Sequence, residues 1–82
     1  MELEEEIENT IGPIIKKMGY KLIKVKLGFQ NRDKVLTITI DKEGGVSVED
    51  CAKVSRAIAP ILDGKEIIKN DYILIVSSPG IE

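Results

Sequence analysis

Leu3, Ile7, Ile11, Ile14 and Met18 recur at steps of four, four, three and four, the spacing that draws one apolar stripe along a helix. Gly12-Pro13 interrupts the stripe, and a proline there removes a backbone donor and bends the helix without ending it. Gly19 supplies the stop. From Lys21 the period drops to two. Ile23, Val25, Leu27 and Phe29 alternate with Lys24, Lys26 and Gly28, which predicts a half-buried strand. After the polar loop Gln30-Asn31-Arg32-Asp33 the alternation resumes, with Leu36, Ile38 and Ile40 on one side and Thr37 and Thr39 on the other. Two such runs make an antiparallel hairpin with one apolar and one polar face.

Glu43-Gly44-Gly45 reads as a loop, and Ser47-Val48-Glu49-Asp50 opens a second helix. Ser47 is placed to cap its free amides, with Asp50, three residues on, reaching back in the manner of a capping box. Cys51, Val54, Ser55, Ile58, Ile61 and Leu62 form its inward stripe. Lys53 and Arg56 face elsewhere, Pro60 falls in the last turn, and Asp63-Gly64 ends the helix. Tyr72 to Val76 is an unbroken apolar run, which fits a strand covered on both faces or one whose second face is meant for something else. The order is α-β-β-α-β, without internal repeat. It predicts an α+β domain spanning residues 1–82, a three-stranded mixed sheet with two helices on one face. A right-handed crossover through the second helix predicts the third strand beside the first and parallel to the second.

Eighty-two residues bury only about 60% of the unfolded surface, enough for one small core but not for a deep cofactor-bearing cleft. Cys51 is the only cysteine, so no disulfide forms within the chain and no thiolate cluster holds zinc or iron–sulfur. The absence of histidine removes Ser-His and Cys-His nucleophile pairs. No stretch reaches the roughly 20 apolar residues that span a bilayer, and the acidic N-terminus is unlike a signal peptide. A cytoplasmic setting follows by elimination. The net charge of −2 hides a polarity: Glu2, Glu4, Glu5, Glu6 and Glu8 give the first ten residues −5, and the remainder carries +3. That balance is too mild to mark a nucleic-acid binder by itself.

Each conspicuous residue has a plain reading beside a sharper one. The glutamates are a solvated helix end favoured by the helix dipole, or an electrostatic hook; their side chains fan around the helix, which disfavours a metal site. Gly44-Gly45 before a helix resembles a phosphate cradle, but Glu43, Glu49 and Asp50 crowd the same place, so a turn and cap fits better. Cys51 has no cationic sequence neighbour and reads as a core residue. No metal, cofactor or small-molecule substrate is expected.

The stretch Gly44 to Asp63, GGVSVEDCAKVSRAIAPILD, resembles the signature of the RimP family of bacterial ribosome maturation factors, and SSPGIE, Ser77 to Glu82, resembles the segment joining that family's two domains. A proline within the first helix, the Gly19-Tyr20 turn and a lysine-bearing hairpin extend the likeness over nearly the whole chain. The resemblance implies an N-terminal domain of that family and a non-catalytic role in maturation of the small (30S) ribosomal subunit. It implies contacts with small-subunit ribosomal protein twelve and nearby 16S rRNA. It also implies that residues 76–82 begin a linker to an SH3-like barrel this chain does not include, with Ser77, Ser78, Pro79 and Gly80 as the hinge; an excised domain and a truncated protein both remain open.

The element order is also similar to KH-like and prodomain-like two-layer sandwiches. A free-standing KH-like RNA-binding domain is therefore the rival reading. Against it, no two glycines are spaced as in a Gly-x-x-Gly clamp, and one Phe and two Tyr make a poor stacking platform. The candidate partner-binding residues are Lys24, Lys26, Thr37 and Thr39 on the hairpin's outer face, with Ile73 and Ile75 or their neighbours beside them, and Lys53 and Arg56 as a smaller patch. The domain is expected to be a monomer.

Overall fold

The computed structural model describes residues 3–68 and 71–79. Helix α1 spans Leu3–Lys17, strand β1 Lys21–Gln30, strand β2 Asp33–Asp41, helix α2 Val48–Lys65 and strand β3 Ile73–Ser77. Ile7, Ile11 and Ile15 of α1, Leu36, Ile38 and Ile40 of β2, and Val54, Ile58 and Leu62 of α2 are sealed from solvent in one cluster. The two helices therefore cover one face of the sheet, and β2 carries the middle of the core.

In α1 the stripe turns at its end: Ile15 is fully buried, while Ile14 and Met18 pack half-buried at its flank. The helix runs through Pro13, on its exposed side, and closes in a Schellman arrangement. Gly19 is left-handed at φ 97° and its N–H bonds the Lys16 carbonyl at 3.0 Å, while the Tyr20 N–H bonds the Ile15 carbonyl at 3.1 Å. Tyr20 is thereby folded back onto the core, where it is buried. Helix α2 continues one residue past Gly64 and ends in a left-handed Glu66, φ 52°.

Strand β1 pairs antiparallel with β2 through a two-residue turn, Asn31-Arg32, in which both residues have positive φ. This turn matches the right-handed twist of the flanking strands. A bulge between Leu22 and Lys24 corrects the expected alternation. Leu22, not Ile23, faces inward opposite Ile40, and Ile23 becomes the extra, 46% exposed residue. Phe29 keeps the parity of Val25 and Leu27 but is 77% exposed beside the hairpin tip.

Strand β3 lies parallel to β2 and pairs with it, giving the order β1-β2-β3. The expectation that it would lie beside β1 was wrong. The two strands differ physically: β1 carries the bulge, three lysines and Gly28, as edge strands do, whereas Val35 to Ile40 is an uninterrupted β-branched and aliphatic run suited to the centre.

Candidate functional site

The register of the sheet decides what stands on the face that no helix covers. Lys24 is the direct cross-strand partner of Thr39, and Lys26 of Thr37. On the other side of β2, Thr39 is level with Ser77, Thr37 with Ile75, and Val35 with Ile73. The outer face thus reads as three rows across the strands, Lys24-Thr39-Ser77, Lys26-Thr37-Ile75 and Gly28-Val35-Ile73. Ile73 and Ile75 are 47% and 42% exposed, because the apolar run of β3 is packed by helices on only one side.

Lys24 and Lys26 are both exposed, and no ion pair engages them among the described residues. A flat surface results, with cations along one margin, threonine hydroxyls in the middle and isoleucine side chains along the other. Such a face offers donors to phosphate or carbonyl oxygens together with apolar contact area. Lys53 and Arg56 are exposed on α2, in the helix layer, and are not part of this surface. Ile23 and Phe29 went unnoticed in the sequence because the alternation placed them inward; only the bulge and the limited reach of the helices expose them.

A second cluster surrounds the start of α2. Ser47 is the N-cap: its Oγ accepts the Asp50 N–H at 3.1 Å, and Asp50 Oδ2 accepts the Ser47 N–H at 2.9 Å, closing a capping box. Asp50 does more than cap. Its Oδ1 accepts the Tyr20 hydroxyl at 2.7 Å, and Lys42 Nζ stands 3.5 Å from its Oδ2 and 5.3 Å from the Tyr20 ring centroid. The Ser47 amide, the Tyr20 hydroxyl and Lys42 hold the Asp50 carboxyl well below the usual carboxylate range, and the same Asp50 contact pushes the Tyr20 phenol up. The helix start is therefore filled by the chain's own carboxylate. Gly44 and Gly45, at φ 91° and 96°, turn the chain into this knot.

Cys51 is buried, and burial, with Asp50 next to it, pushes its thiol up, away from a nucleophile. Ser77 is held in β3 and Ser78 is 1% exposed, so these two expected hinge residues sit within the fold. Pro79 is exposed, and Gly80 lies outside the described residues. Among the described residues no cluster of three or more carboxylate or thiol side chains could hold a metal, and no helix is long and apolar enough to cross a membrane.

The family model of the RimP N-terminal domain matches residues 10–82, which is most of the chain. The chain belongs to the RimP N-terminal domain family. It is thus a ribosome maturation factor domain, of a family that is generally non-catalytic. The matched region includes the whole knot at Tyr20, Ser47 and Asp50 and all of the outer sheet face. The glutamates Glu4, Glu5, Glu6 and Glu8 precede it.

Proposed function

We propose that this domain is a non-catalytic docking module for assembly of the small ribosomal subunit, and that it meets the immature particle through the outer face of its sheet. The observation that carries the reading is the register: Lys24, Lys26, Thr37 and Thr39 share one uncovered face with the half-exposed Ile73 and Ile75. A mixed surface of this kind suits a ribonucleoprotein partner. The lysines and threonines serve phosphate and peptide oxygens, and the isoleucines serve apolar side chains of a ribosomal protein. Small-subunit ribosomal protein twelve and the 16S rRNA around it are the partners proposed, in the cytoplasm where assembly takes place. Lys53 and Arg56 form a secondary patch in the helix layer.

The rival, a KH-like domain that binds RNA at large, lacks support at the place where it needs most. The glycine-bearing loop before α2 is locked by Asp50, and among the described residues the outer face presents no aromatic ring for base stacking. Co-sedimentation with small-subunit precursors, compared with binding to unstructured RNA of equal length, separates the two. The docking reading predicts co-migration with the particle that excess free RNA does not compete away. Binding to free RNA of equal strength would replace it with the rival.

A further inference from the structure

The two edges of the sheet are treated differently. At the β1 edge the backbone N–H of Leu27 is taken by Glu4 Oε2 of α1 at 2.7 Å, and the bulge at Leu22/Lys24 disrupts the strand further. Both devices discourage an incoming strand. At the β3 edge neither is present. Ile73–Ser77 pairs only with β2 among the described residues, and no other backbone hydrogen bond reaches it there. Half of a strand's backbone N–H and C=O groups point away from its neighbour, so this edge offers a template for strand addition.

The edge is flanked on its α2 side by carboxylates, while Lys34 stands with Asp33 and Asp71 near the start of the strand. In the corner between β3 and α2, a cleft of about 420 Å³ is lined by Asp63, Glu66 and Asp71 together with Tyr72 and Leu74. All three carboxylates are exposed, and no Lys or Arg lines the cleft among the described residues. The Tyr72 hydroxyl donates to Asp63 Oδ1 at 3.2 Å, which steadies one wall. On the opposite face the same strand presents Ile73 and Ile75, each nearly half exposed.

We infer that the β3 edge is a strand-addition site for an extended polypeptide whose side chains alternate between basic and apolar. Successive side chains of an added strand point to opposite faces of the sheet. One row then lies beside Ile73 and Ile75, where apolar residues extend the exposed isoleucine margin. The other row turns toward α2, where lysine or arginine meets Asp63, Glu66 and Asp71. Charge complementarity thus selects the partner's sequence pattern, while the backbone ladder supplies the pairing. The site is separate from the lysine-bearing margin on β1, so reversal of Lys24 and Lys26 leaves it intact.

The test is titration of the ¹⁵N-labelled domain with a capped hexapeptide of alternating lysine and valine. A glutamate-valine counterpart and a lysine-valine peptide N-methylated at every second residue serve as controls. Amide shifts are expected to concentrate on Ile73–Ser77 and the facing turn of α2, with no comparable response to either control. Asp63→Asn combined with Asp71→Asn keeps an acceptor for the Tyr72 hydroxyl and should weaken binding by roughly three- to tenfold. Equal binding of the lysine and glutamate peptides, or shifts confined to the β1 margin, would overturn the inference. So would a concentration-dependent dimer with protected β3 amides, which would assign the edge to a second copy of the chain.

Discussion

Replacing Ser47 with alanine tests the most connected local structure in the domain. The substitution removes both the acceptor of the Asp50 N–H and the hydroxyl that donates to Asp50 Oδ2 at 3.1 Å, and leaves Asp50 still bonded to the Ser47 N–H and the Tyr20 hydroxyl. N-cap replacements of this kind cost about 0.5–2 kcal/mol. The helix start is solvent-exposed, so water recovers part of the lost bond and the expected cost is about 1 kcal/mol. In a domain of this size that lowers the melting temperature by roughly 4–8 °C, measured by circular dichroism. Ser47→Gly should cost only a few tenths of a kcal/mol. Asp50→Ala should lower the melting temperature more than Ser47→Ala, since it strips the Ser47 amide, the Tyr20 hydroxyl and Lys42 of their common partner. The network also fixes a pH dependence. The Asp50 carboxyl is lowered in the folded state, so between its folded and unfolded pKa values the unfolded chain binds the extra proton. Its contribution is complete above the ordinary carboxylate range and is lost progressively from about pH 4 downward. Asp50→Asn should flatten that acid limb. A Ser47→Ala melting point within a degree of wild type, or an Asp50→Asn acid limb identical to wild type, would refute the reasoning.

Arg32 occupies the second position of the β1–β2 turn at φ 75°, a conformation costing a non-glycine residue roughly 1–2 kcal/mol. After the greater unfolded-state entropy of glycine is subtracted, Arg32→Gly should stabilise the hairpin by roughly 0.5–1 kcal/mol. A fall in melting temperature would contradict this. Cys51, buried and with its thiol pushed up, should react with iodoacetamide at pH 7.5 far more slowly in the folded domain than in denaturant. Equal rates in the two states would show that the helix face bearing it is open.

The element order and most of the core were legible because period and element coincide. Ile7 and Ile11, Leu36 to Ile40, and Val54 to Leu62 alternate at the spacing of the structure they form. The outer face followed from the same alternation, which placed Lys24, Lys26, Thr37 and Thr39 together. What escaped depends on long-range facts. The bulge at Ile23 leaves no residue signature in a run of apolar and lysine residues, and a one-residue slip moves a side chain to the other face. The position of β3 follows from which hairpin strand is the better centre, a comparison between strands that periodicity along one strand does not make. The reach of Asp50 to Tyr20 spans 30 positions and depends on the Schellman turn that swings Tyr20 inward. Asp50 was legible as a cap but not as a tertiary anchor. The guarded and open edges were invisible for the same reason: Glu4 meets Leu27 only once α1 lies along β1.

The claim that the outer sheet face is the docking surface is tested most directly by Lys24→Glu combined with Lys26→Glu. Both residues are exposed, so the double variant should keep the wild-type circular dichroism and melt within the range of about 0.5 kcal/mol per site typical of surface changes. Its affinity for small-subunit precursors, followed by sedimentation from low to physiological salt, is predicted to drop roughly tenfold or more. If each lysine meets a phosphate, the dependence of log K on log salt should also shrink by about 1.4–1.8. A double variant that folds normally and binds the precursor with unchanged affinity at low salt would contradict the account and move the docking surface elsewhere on the domain.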